Sequence, residues 1–163
     1  MVSPSVPEMC VTIVEGNHAI VALDVATPQT PLNEAAPLVN RGVRIQFEHG
    51  QWVRTYPAAT DVDPVPRDVF DWSGIEFRGD RVGDGGEWLK RFRAQWARQG
   101  TCPNPSFYEA LESRWIEEEN ACRFGCRHFV LVGHDMWMEV LCTGMSWAWR
   151  PPDADVAAAG SLA

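Results

Sequence analysis

Apolar and polar positions alternate along several short stretches of the chain, and along two others the apolar ones recur at helical pitch. Cys10–Val14 and residues 19–25 are short and rich in β-branched residues, with Glu15-Gly16-Asn17 between them, which predicts a first hairpin. Val43, Ile45 and Phe47 alternate with Arg44, Gln46 and Glu48; His49-Gly50 offers a turn and residues 52–56 return. That pattern predicts a second hairpin with one buried and one wet face. Arg127–Val132 and Met136–Cys142 flank Gly133-His134-Asp135 and predict a third. Phe129 and Leu131 point one way while Val130 and Val132 point the other, so this strand is expected to be buried on both faces. Trp147 and Trp149 have the spacing of a last short strand.

Helical pitch governs the middle of the chain. Trp88, Leu89, Phe92 and Trp96 fall within an arc of roughly 100°, with Lys90, Arg91, Arg93 and Arg98 outside it. Asp84 followed by Glu87 has capping-box spacing, and Gly100 supplies the stop. A second helix is expected after Asn104-Pro105, because Phe107, Tyr108, Leu111 and Trp115 repeat the same arc. The acids Glu117, Glu118 and Glu119 oppose its dipole, and a strand over 107–111 is the alternative. Residues 26–38 and 57–68, rich in Pro with small or acidic residues, read as loops. The expected fold is α+β: a mainly antiparallel sheet built from three hairpins, with two amphipathic helices packed on one face. Residues 1–150 form a single domain in this reading, and 151–163 a flexible C-terminal tail.

Composition agrees with a globular protein. Of 163 residues, 45% are hydrophobic and 22% charged, enough for one core of ordinary size. The net charge of −8 argues against nucleic acid as a partner, since a binder needs surplus cation to displace counterions from phosphates. That charge is uneven. Residues 1–40 carry acids and no Lys or Arg, residues 81–100 are basic, and residues 101–121 are acidic again. No apolar run is long enough to span a membrane, and residues 1–10 lack the basic start of a secretory signal. Cysteines at 10, 102, 122, 126 and 142 are odd in number and irregular in spacing, which suggests reduced thiols and a cytoplasmic protein.

Candidate chemistry is sparse. Cys122 and Cys126 with His128, and Cys102 as a fourth ligand, resemble a zinc set, but the spacing is C-x3-C and no second pair exists. No metal or other cofactor is therefore expected. His134 and Asp135 at a hairpin tip, followed by Glu139 in the next strand, form the candidate catalytic group. Glu139 shares a strand face with Trp137 and Leu141; there it either works as an acid or base, or pairs with Arg127 across the hairpin, the structural option being favoured. Asp61, Asp63, Asp68 and Asp71 read as a hydrated loop rather than a cation site, and no nucleophile elbow or phosphate loop is present.

Eight Trp exceed what packing a domain of this size requires. Periodicity assigns Trp88, Trp96 and Trp115 to the core, leaving Trp52, Trp72, Trp147 and Trp149 as candidate binding residues. The expected function is that of a small acidic protein-binding domain, an immunity-type inhibitor or accessory factor. The alternative is a small enzyme, or a small-ligand-binding accessory protein, using His134, Asp135 and Glu139 beside an aromatic pocket. A metal-stabilised module is the third option. A protein partner is expected first and a small molecule second, with neither nucleic acid nor membrane; oligomeric state is left open.

Overall fold

A computed structural model describes residues 9–14, 18–28, 38–57, 69–75, 77, 85–133 and 136–151. Most of the described chain is strand, arranged in two four-stranded antiparallel sheets. The first contains β1 (Cys10–Val14), β2 (His18–Pro28), β3 (Leu38–Glu48) and β8 (Gly144–Trp149), in that spatial order. The second contains β4 (Trp52–Pro57), β7 (Met136–Cys142), β6 (Arg127–Val132) and β5 (Phe107–Ala110). The described residues also form α1 (Gly85–Gln99), the short α2 (Arg114–Glu118) and a 3-10 turn, Ala121–Phe124.

The inner faces of the sheets meet in one core. Val21, Val43, Ile45 and Phe47 of the first sheet pack with Phe129, Leu131, Met138 and Val140 of the second. Phe47 is fully buried, with its ring 6.0 Å from that of Phe129. A side chain of that size contributes about 1.5–3 kcal/mol on burial. Strand alternation sends the neighbouring residues the other way, so β6 and β7 are buried on both faces.

This architecture corrects the expected fold. Among the described residues there is one helix of several turns, not two on one face of a three-hairpin sheet. β1 with β2, and β6 with β7, do form hairpins. The second expected hairpin does not form: β3 pairs with β2 and β8, while β4 crosses to the other sheet and pairs with β7. The crossing runs through His49, at a φ of 51°, and Gly50, where a Cβ would come within 3.1 Å of that of Phe47. The return from β7 to β8 passes beside it, the Thr143 N–H donating to Glu48 O at 3.0 Å. Alternation sets which face of a strand is buried but not which strand lies next to it.

The expected second helix is replaced by β5, a turn and α2. Ser106 and Glu112 take φ of 57° and 50°, and each breaks helical geometry on one side of β5. As a strand, residues 107–110 send Phe107 to the core and Tyr108 to the opposite face, and Leu111 is left exposed. Of the loop expected over 26–38, residues 26–28 belong to β2 and Leu38 to β3, and residues 29–37 lie outside the described residues. By contrast α1 forms where periodicity places it. Phe92 and Trp96 are buried, and the Gly100 N–H closes the last turn on Trp96 O at 2.9 Å, with φ of 71°. Asp84 of the expected capping box, the loop over 58–68 and residues 152–163 of the expected tail lie outside the described residues. Among the described residues no helix is long and apolar enough to cross a membrane.

Candidate functional site

Two places bring chemistry-bearing side chains together, one between the sheets and one on the outer face of the second sheet. The first follows from the pairing of β3 with β8. Val43 lies opposite Trp149, Ile45 opposite Trp147 and Phe47 opposite Met145, so all six share the inner face of the first sheet. Near Phe47 the sheets close on each other. Further along, at Ile45 and Val43, they leave a pocket of about 240 Å³.

Val25 and Thr27 of β2, Trp96 of α1 and Phe107 of β5 complete its walls. Among the described lining residues, Thr27 brings a hydroxyl into an otherwise aliphatic and aromatic wall, and that hydroxyl donates to Val39 O at 3.2 Å. Trp147 and Trp149 meet edge to face with centroids 5.2 Å apart, and they keep 55% and 40% of their surface exposed. The Arg41 guanidinium lies 4.0 Å from the Trp149 ring centroid. This is a concave apolar site with aromatic side chains at its mouth.

The second place is polar and closed. His128 of β6 and Glu139 of β7 occupy the outer face, with Nε2 3.0 Å from Oε2. The N–H direction does not point along that line, so the contact is a close approach and not an aligned hydrogen bond. On its other nitrogen, His128 Nδ1 is 2.8 Å from Ser113 Oγ. Ser113 also caps α2, its Oγ accepting from the Ile116 N–H at 3.3 Å. Trp115 covers the imidazole edge-on at 5.2 Å and Phe70 lies 5.9 Å away. Burial, then the charge of Glu139, holds the Tyr56 hydroxyl above its usual range. Arg54 lies over the Trp115 ring and reaches Glu119, which also accepts from Trp115 Nε1 at 3.1 Å.

A Ser, a His and a Glu in a row suggest a nucleophile, a base and its orienting group. Here their surroundings favour packing. His128 is 2% exposed and Glu139 6%, and neither they nor Ser113 line either pocket described here. The network ties α2 to the second sheet.

The candidate residues thus separate. Trp147 and Trp149 come together at the pocket, whereas Glu139 faces the far side of the second sheet; His134 and Asp135 lie outside the described residues. Trp52, the first residue of β4, packs with Trp115 and Leu141. Trp72 stands edge-on to Tyr108 at 5.0 Å in a separate, wetter groove of about 450 Å³. There Glu109 is held by Arg127 and Asp71 accepts from the Ser73 N–H. Arg127 does not pair with Glu139 as expected. Its register opposite Cys142 puts it on the other face, where it grips Glu109 at 2.7 Å and keeps that carboxyl below the usual range.

Among the described residues no three His, Cys, Asp or Glu side chains converge to hold a metal. Cys122 is exposed, Cys126 is buried, and His128 turns to Ser113 and Glu139. Sequence reasoning missed Ser113 and the partnership of His128 with Glu139, since the residues lie 11 to 26 positions apart with no motif. It also missed Val25, Ile45 and Phe107 as pocket walls, because core and pocket residues follow the same alternation. No family model, curated protein or solved structure matches the chain.

Proposed function

We propose that this protein acts by binding, and that its ligand is a small, largely apolar molecule taken up between the two sheets beside Trp147 and Trp149. The observation that carries this reading is a pocket of about 240 Å³ whose described lining is aliphatic and aromatic apart from Thr27, with two exposed indoles among its walls. A dry apolar cavity of about 150 Å³ accepts benzene, so this one suits a body of about ten non-hydrogen atoms. Indoles left half in water at such an opening gain by closing over an apolar guest. Titration with octan-1-ol in a calorimeter tests the reading. One saturable site is expected, weakened by Trp147→Ala and Trp149→Ala, whose exposed side chains can be removed without unfolding the chain. Absence of saturable binding overturns it.

One observation favours a protein partner as a second reading. β8 is an edge strand, and Ser146, Trp147, Ala148 and Trp149 are all exposed. Such an edge accepts an extended segment by strand addition. A stoichiometric partner lost on Trp147→Lys, while octan-1-ol fails to bind the unmodified protein, would select this reading.

A further inference from the structure

We infer that the ligand of the inter-sheet pocket is an amphipathic carboxylate, with its apolar body among the indoles and its anionic end against Arg41. This rests on the pocket-binding reading and names the chemical class of ligand. Arg41 lies opposite Val25 in the pairing of β2 with β3. Cross-strand partners share a face, and Val25 lines the pocket, so Arg41 stands on that face two positions before Val43. Its guanidinium rests 4.0 Å from the centroid of the Trp149 ring, another wall of the pocket.

Arg41 is exposed, and among the described residues no carboxylate lies within ion-pair distance of it. A guanidinium stacked on an aromatic face keeps its N–H edge available for a bidentate anion. The nearby Arg150 is differently placed. It reaches Asp24 at 2.7 Å, and Asp24 lies opposite Gly42, on the other face of the sheet. Among the described lining residues none is acidic, so an ammonium head group would meet the Arg41 cation and no carboxylate there. The net charge of −8 therefore misleads locally, because the charge beside this opening is positive.

Calorimetric titration with octanoate, octan-1-ol and octylammonium separates the outcomes, since the three share one tail. Octanoate is expected to bind about tenfold more tightly than octan-1-ol, as one charge-assisted contact allows. Octylammonium is expected to bind most weakly. Arg41→Gln should bring octanoate to the level of the alcohol and leave the alcohol within about twofold. Equal binding of acid and alcohol to the unmodified protein overturns the carboxylate while sparing the pocket. Arg41→Gln weakening both equally also overturns it, since Arg41 would then act by positioning Trp149. If none of the three binds, the pocket reading itself falls.

Discussion

His128 Nε2 stands 3.0 Å from Glu139 Oε2 on adjacent strands of the second sheet, under Trp115 and Phe70, with both side chains almost wholly buried. Neighbours settle the chemistry of such a pair more than its members do. Ser113 occupies the other imidazole nitrogen, Tyr56 meets the carboxylate, and Arg54 lies opposite Glu139 in the pairing of β4 with β7. The group is stable as a set and costly to break singly.

Removing one member leaves a buried polar group without its partner. His128→Leu or Glu139→Leu alone is expected to lower stability by about 2–4 kcal/mol. The double variant should cost less than the sum, a coupling that urea denaturation of all four proteins measures. Strict additivity would mean that the two side chains do not interact. Binding of octan-1-ol to whatever remains folded should be unchanged, as both residues face away from the pocket.

Ser113 has two tasks, capping α2 and meeting His128. Ser113→Ala is expected to cost about 1 kcal/mol, the usual worth of a cap, or somewhat more for the lost imidazole contact. Ser113→Asp would retain the cap but bring a second carboxylate towards Glu139. It should be the less stable of the two variants by thermal unfolding.

Pocket walls and pocket mouth should respond differently. Ile45 is 1% exposed and belongs to the core as well as the pocket. Ile45→Ala is expected to lose about 2–5 kcal/mol of stability. Trp147→Ala removes a side chain that is more than half exposed, so it should affect ligand binding more than folding. The denaturation midpoint and the octan-1-ol affinity, read on the same two variants, check the contrast.

The thiols predict an effect of pH. Burial, opposed by a backbone hydrogen bond from Gly144, pushes Cys142 up to about 12. Its folded pKa is raised above the unfolded value, so the unfolded chain gives up this proton first. The stability it contributes is intact below about pH 9 and is lost as pH rises towards 12. Cys142→Ala, although it leaves a small cavity, should flatten the alkaline part of the stability profile. Alkylation by iodoacetamide at pH 8 should label the exposed Cys122 quickly and leave Cys142 unmodified until the chain unfolds.

Much of the local structure was legible from spacing. The β1–β2 and β6–β7 hairpins, the helix ending at Gly100 and the strand carrying Trp147 and Trp149 occur close to where the pattern places them. Trp147 and Trp149 at i and i+2 already implied a shared face. At 107–111 the pattern misled, because Phe107, Tyr108, Leu111 and Trp115 satisfy helical pitch while positive φ at Ser106 and Glu112 divides the segment.

The sequence by itself determined which faces of the strands are apolar, since alternation with a period of two follows from strand geometry. Tertiary structure alone decided that β3 and β4 part at His49 and Gly50 to join different sheets. It also decided that Arg127 takes Glu109 and leaves Glu139 to His128. The pocket arises in the same way, from Val25, Phe107, Trp96 and Trp149, residues brought together by β2, β5, α1 and β8. Partner choice depends on how two whole sheets pack, and no run of neighbouring residues encodes that.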